Sequence, residues 1–378
     1  MQPGLFAAAA GTLVVGAATI AYLRYRDWLL QRKKHKSILV AACDLDKTMY
    51  PPAGANQASQ LAANVAAMTR FESLGGFVFP VTGNNPPQAQ VKFLDTKGVP
   101  LRDVSKHPGI FCNGGLVLGP GGVELERHTL GKLHVKTSGI DLITALLDFW
   151  SSPTHRALLK GIGLLFFLPD VLAGYDEAYD HVEGFCDSQR VVPVRRGRKE
   201  IIAERDRVLQ VVLLWPPLAP GASYDQDVHP WQLSVRAAIE EAGLADCAGS
   251  GASGIKFTPM KEPWPEMDLC VGGVDKGSAL SRFLQHPDVT AYLGVARVEP
   301  DRHVAVFGDA ANDVPMFRAV HGVSPALRVA MPHAGHAELL ALANVRAEVS
   351  EVLNQCCHDR EEDTRGNCGG CAIGKAYT

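Results

Sequence analysis

Apolar positions fall into short unbroken runs, separated by longer stretches in which they recur every three or four residues. Ile38-Leu-Val-Ala-Ala-Cys43 is one such run, of strand length and ended by acidic and turn residues, as expected of a strand buried on both faces. Leu61, Val65, Met68 and Phe71 carry helical spacing and predict a helix over 57–74, closed by Gly75-Gly76. Phe77 to Val81 reads as a second buried strand and His303 to Phe307 as a third. Helices are expected from Lys276 onward and over about 312–320. Strand and helix in alternation predict an α/β fold, a Rossmann-like parallel sheet with helices on both faces.

From about residue 115 the pattern changes to short strands and glycine turns (Gly119, Gly121, Gly122). A helix over 141–150, a strand over 208–215 and a helix over 230–242 complete what reads as an inserted α+β cap domain. The expected division is a core of 37–114 and 256–352 interrupted by a cap of 115–255. A loose, cysteine-containing tail is expected over 353–378.

Residues 1–36 form a separate unit. Gly4 to Leu23 is 20 residues without a charge, and a helix of that length spans about 30 Å, enough to cross a bilayer. Arg24, Arg26, Arg32, Lys33, Lys34 and Lys36 follow it against a single Asp27. The positive-inside rule then makes this an N-terminal transmembrane anchor with the catalytic domain facing the cytosol. A cleaved signal is the alternative, but no positive charge precedes the apolar stretch.

Composition narrows the function classes. Lysine plus arginine total 37 against 40 acidic residues, a net charge of −3, so the chain has no overall basic character to suggest nucleic-acid binding. The nine cysteines are odd in number and irregularly spaced, and Cys43 and Cys270 lie in or beside apolar runs, which suits packed thiols. Cys356-Cys357-His358 with Cys368 and Cys371 reads as part of a flexible, lipidated or redox-active tail, with a zinc site, whose preferred ligand types it offers, as the alternative.

Four motifs carry candidate chemistry. Asp44-Leu-Asp46-Lys47-Thr48 follows the first buried strand, at the sheet edge where open α/β folds bind ligands. One carboxylate there can attack phosphorus while the other handles the leaving group's proton. Thr82-Gly83-Asn84 follows the second strand and offers a hydroxyl and close backbone N–H groups to a phosphate oxygen, or simply a helix cap. Lys276 opens a helix, where a cation is unfavourable unless an anion lies close. Gly308-Asp309-Ala-Ala-Asn312-Asp313 follows the third strand and gives an oxygen-rich cluster suited to Mg²⁺.

In this order the four motifs resemble those of the haloacid dehalogenase-like superfamily. The large cap, Asn113-Gly-Gly115 and the stretch 274–280 are similar to its Cof-like sugar-phosphatase branch. The resemblance covers about 38–350. It implies a Mg²⁺-dependent phosphatase in which Asp44 attacks phosphorus and binds the metal. Asp46 would move the proton and lend its backbone carbonyl to the metal, while Thr82, Gly83 and Lys276 hold the phosphoryl group. Asp309 would bind the metal, supported by Asp313, Asn312, Thr48, Asn84 and Asn113. The implied partner is a small phosphorylated metabolite, a sugar phosphate above all. Two positions depart from the branch: Lys47 stands where glycine is usual, and Asn84 where arginine often follows Thr-Gly. A phosphomutase is the alternative, with Arg195, Arg196, Arg198 and Lys199 as its second phosphate site. A membrane-tethered binding protein without turnover is another.

Overall fold

The computed structural model describes residues 38–93, 102–249, 252–260, 264–320 and 326–366. The expected anchor over 1–36 lies outside the described residues, as do Cys368 and Cys371. Among the described residues no helix is long and apolar enough to cross a membrane.

Two sheets organise the molecule. In chain order their strands are β1 (Val40–Cys43), β2 (Phe77–Pro80), β3 (Gly163–Phe167), β4 (Leu172–Tyr175), β5 (Val194–Arg196), β6 (Gln210–Leu214), β7 (Ile255–Met260), β8 (Glu266–Val271), β9 (Val304–Gly308), β10 (Leu327–Ala330) and β11 (Val345–Arg346). Four helices matter below: α1 (Gln57–Ser73), α2 (Pro86–Lys92), α3 (Lys276–Gln285) and α4 (Val349–Gly366).

The first sheet has the order β11-β10-β9-β1-β2, with every pairing parallel. Each residue of β1, β2 and β9 is buried, which is why their sequences are near-continuous apolar runs. β1 lies between β2 and β9, so the chain leaves it towards opposite sides of the sheet. The crevice opened there, beyond the carboxyl end of β1, is where this architecture places ligands.

The second sheet has the order β7-β8-β6-β3-β4-β5 and is antiparallel except between β4 and β5. Its side chains alternate. Leu164, Phe166, Val211, Leu213, Met267 and Leu269 face the cap's own core, while Leu165, Phe167, Val212 and Leu214 join the cluster that reaches the parallel sheet.

Both expected cap boundaries shift. Leu116–Leu118 and Glu124–Arg127, read as cap, form a small sheet with Gly109–Phe111, and Ile110 bridges Val81 just beyond β2. At the other end β7 and β8, read as core, are strands of the cap sheet, so the cap runs to Val271 rather than 255. Pro259 obscured β7 in the sequence. It is tolerated there because β7 is an edge strand whose outer side needs no donor.

The expected loose tail is also corrected through Gly366. It continues as α4, whose Val349, Val352, Leu353, Cys356 and Cys357 are buried at helical spacing in the core cluster that includes Met68 and Phe71 of α1. Arg70 pairs with Glu361 at 2.8 Å, and Arg360 donates to the Leu74 carbonyl at 2.9 Å with its guanidinium 4.8 Å over the Phe71 ring. Cys356 and Cys357 are packed thiols rather than open metal ligands, and burial pushes the Cys356 thiol up to about 12. The polar residues that suggested a tail include the outward face of an amphipathic helix.

Candidate active site

The parallel sheet delivers its chemistry from strand ends. Asp44 is the first residue beyond β1, and its N–H still donates to the Phe307 carbonyl of β9 at 3.0 Å, so the sheet fixes the aspartate's backbone. The loop then closes on itself, with Met49 N–H on the Asp44 carbonyl at 3.2 Å and Tyr50 N–H on the Leu45 carbonyl at 2.8 Å. Within it Lys47 has φ of 55°, the left-handed region that glycine favours, at a cost of about 1–2 kcal/mol for a residue with a Cβ. That is the position where the family resemblance leads one to expect glycine.

Beyond β9, Asp313 turns back and accepts the N–H groups of Asp309 and Ala310 at 3.0 and 3.1 Å. Gly308 permits this approach, because a Cβ there would stand 2.5 Å from Asp313 Oδ2. Lys276, the first residue of α3, is completely buried and donates to Asp44 Oδ1 at 2.6 Å and Asp313 Oδ1 at 2.7 Å. The helix start places it, with Asp275 capping α3 by accepting Ser278 N–H at 2.7 Å.

Asp44, Asp309 and Asp313 each bring one carboxylate oxygen within 4.8 Å of the others. One ammonium among three carboxylates leaves excess negative charge. Burial pushes Asp44 well above the usual carboxylate range; Lys276 draws it back, but Asp313, Asp309 and Asp46 oppose that. Burial and Asp313 likewise push Asp309 up to about 7. Burial alone would discharge Lys276, yet Asp313 and Asp44 hold its pKa above the ordinary value. An all-oxygen cluster with surplus charge fits a hard divalent cation such as Mg²⁺. Thr48 supports it by donating to Asp309 Oδ1 at 3.4 Å.

The Asp46 carboxylate lies apart from this cluster and is held by different groups. Asn84 Nδ2 donates to Asp46 Oδ2 at 2.7 Å, and Lys92 Nζ lies 2.6 Å from Oδ1 and 2.8 Å from Oδ2. Burial would raise Asp46, but the Lys92 charge and hydrogen bond, helped by Asn84, hold it below the usual range. Thr82 is fully buried, and its Oγ accepts from Asn84 N and Nδ2 at 3.1 and 2.9 Å. With both acceptor positions used, its hydroxyl proton is left to donate elsewhere. Asn113 donates to Asp268 Oδ2 of the cap at 3.2 Å and accepts from Asn312 Nδ2 at 3.4 Å.

A cavity of about 110 Å³ lies between core and cap. Asp44, Asp46, Lys47, Gly83, Asn84, Asp309 and Asn312 line its core side, with Lys276, Thr82, Thr48 and Asp313 buried behind them. Arg195, Arg196 and Arg198 do not line it. Arg195 lies 3.8 Å over the Tyr179 ring and pairs with Glu183, Arg196 pairs with Glu200 and Glu204, and Arg198 with Asp148. The three arginines of the stretch expected as a second phosphate site are engaged with acids of the cap itself.

No protein-family model matches the sequence, and no curated protein matches it. Solved structures do. A HAD/COF-like hydrolase from Plasmodium vivax superposes with a TM-score of 0.59 at 14% identity, covering 86% of this chain and 97% of its own. The HAD subclass IIB sugar phosphatase BT4131 gives 0.52 at 14% identity over 86% and 98%. The HAD-superfamily phosphatase BT1666 from Bacteroides thetaiotaomicron gives 0.54 at 16% over 87% and 97%. The chain has the Cof-like haloacid dehalogenase fold.

On this Cof-like scaffold Lys92 is the residue that sequence reasoning missed. It ends α2, is buried, and besides Asp46 it donates to Asn84 Oδ1 at 3.1 Å and to Gln189 Oε1 of the cap at 2.6 Å. It thus supplies a cation beside Asn84, where the resemblance leads one to expect arginine. The helix that carries it is fixed by Asn85, which caps α2 by accepting Gln88 N–H at 3.1 Å and donates to the Leu168 carbonyl of the cap at 2.9 Å. A lone lysine at the end of a seven-residue helix carries no sequence signal of this role.

Proposed function

We propose that this protein is a Mg²⁺-dependent phosphomonoesterase that works through an aspartyl-phosphate on Asp44. The observation that carries the reading is the convergence of the Asp44, Asp309 and Asp313 carboxylates on one point, bridged from behind by buried Lys276, at the wall of a cap-covered cavity. The phosphoryl-transfer and phosphatase titles of the structural neighbours agree with it. Asp44, Asp309 and the Asp46 backbone carbonyl, with Asp313 in support, would hold the Mg²⁺, which when bound neutralises charge on the transferring phosphoryl group.

In this scheme an Asp44 carboxylate oxygen forms a bond to phosphorus as the bond to the leaving oxygen breaks. Asp46, once protonated, passes its proton to that oxygen. As a carboxylate it then takes a proton from the water that attacks the phosphorus, freeing phosphate and restoring Asp44. The Thr82 hydroxyl, Gly83 N–H and Lys276 stabilise the phosphoryl oxygens. Purified protein should release nitrophenol from p-nitrophenyl phosphate with MgCl₂ and lose the activity on chelation. Turnover unaffected by exhaustive chelation would contradict the metal assignment.

Lys92 sets the protonation range of Asp46. Lys92→Gln removes the charge that depresses the Asp46 pKa, so Asp46 stays protonated to higher pH. The water-activating step needs the ionised form, so the acidic limb of the kcat–pH profile is expected to move upward. An unchanged acidic limb in the variant would show that Lys92 does not tune the group that limits turnover.

Among the described residues no cation lines the cap side of the cavity, which favours hydrolysis over mutase chemistry, because a mutase must bind a second phosphate there.

A further inference from the structure

The cap side of the cavity has a chemistry that phosphate handling does not use. Glu266 and Asp268 are two apart on β8, hence on one face of the strand, and both line the cavity. Their cross-strand neighbours on that sheet face are the buried apolar Val212 and Leu214 of β6, with Thr258 and Met260 of β7 on the other side. A strand facing such a surface would ordinarily carry apolar residues where these two acids stand. Glu266 is 8% and Asp268 4% exposed.

No described lysine, arginine or histidine lies within ion-pair distance of either carboxyl. Lys92 influences Glu266 from a distance, and Lys256 and Lys276 influence Asp268, which also accepts from Gln210 and Asn113; but Lys92 is committed to Asp46, Asn84 and Gln189, and Lys276 to Asp44 and Asp313. Burial pushes both acids up, Asp268 to about 7. Two buried oxygens here also have no hydrogen-bond partner: Glu266 Oε2 and Gln210 Oε1, the latter on a cavity-lining residue 2% exposed.

Every unsatisfied group at this end is an acceptor. A hydroxyl brings one donor and turns its own lone pairs towards the carboxyls, whereas an ammonium brings three donors and no acceptor. The two ends of the cavity are therefore opposite in character. The core end has Lys276 and the carboxylates that fit a metal, suited to a phosphoryl dianion; the cap end has two buried acids with no ion-pair partner among the described residues.

We propose that the cavity takes a phosphomonoester whose leaving group carries a protonated amine, with the ammonium bound by Glu266 and Asp268. The inference rests on the phosphatase reading for the placement of the phosphoryl end. The aromatic edge supplied by Phe167 and Phe185 leaves room for a short carbon chain or ring between the two charges.

The test is calorimetric binding to the Mg²⁺-loaded full chain, using 2-aminoethylphosphonate and 2-hydroxyethylphosphonate, which resist hydrolysis. The amine is expected to bind at least about tenfold more tightly. The ratio is expected to fall towards one in Glu266→Gln and Asp268→Asn, each close in shape to the native residue and checked for its fold by melting. Equal affinity for the two ligands in the unaltered protein, no measurable binding of the amine, or a ratio that survives in both folded variants overturns the proposal. Turnover of p-nitrophenyl phosphate separates the two readings. If it is absent while the amine preference persists, the phosphatase reading fails and this one stands. If it is present without the preference, only the amine site fails.

Discussion

Replacing Asp44 with asparagine is expected to lower phosphate release by roughly 10,000-fold or more while the protein stays folded. Asparagine keeps the shape of the side chain and removes the nucleophilic oxygen's charge. The fold should tolerate the change, because Asp44 is one of three crowded carboxylates and burial already disfavours its ionised form. Lys276 keeps Asp313 as its partner at 2.7 Å. A melting temperature at or above that of the unaltered protein, together with lost turnover, is the expected pair of results. Retained turnover would remove Asp44 from the chemistry.

Lys276→Met should fail differently, losing both activity and stability. Lys276 is completely buried between Asp44 and Asp313, whose side chains are 8% and 0% exposed. Removing one partner of a buried ion pair costs about 3–5 kcal/mol, since the remaining charges lose their compensation in a low-dielectric site. In the proposed function Mg²⁺ would bind the same cluster, so added MgCl₂ should recover part of the lost thermal stability without restoring turnover. Denaturant melts with and without Mg²⁺ measure this. A variant as stable as the parent would show that the Lys276 ammonium does not compensate the two acids.

The core half of the candidate site was legible because each group sits at the end of a buried apolar strand. Asp44, Thr82 and Asp309 follow β1, β2 and β9 within one or two residues, so a strand assignment alone places them at one sheet edge. The cap half was hidden for a physical reason. Glu266 and Asp268 alternate with Met267 and Leu269, yet the side of β8 that meets the cavity depends on its pairing with β6, far away in sequence. Pro259 within β7 and Pro265 just before β8 further masked them as strands. Lys92 was hidden because its partners, Asp46 and Gln189, come from two other segments. The helix α4 was readable and overlooked: Val349, Val352, Leu353, Cys356 and Cys357 repeat at helical spacing, but the polar positions of its outer face obscured them.

The most direct test of the central claim is to trap the intermediate. Protein turning over p-nitrophenyl phosphate with Mg²⁺ would be quenched in acid within milliseconds, digested with an acid-stable protease and examined by mass spectrometry. The account predicts one added phosphoryl group on the peptide containing Asp44, located to that residue by fragmentation and absent from Asp44→Asn. A phosphoryl group on any other residue, or rapid turnover with no phosphorylated peptide at any quench time, would contradict it.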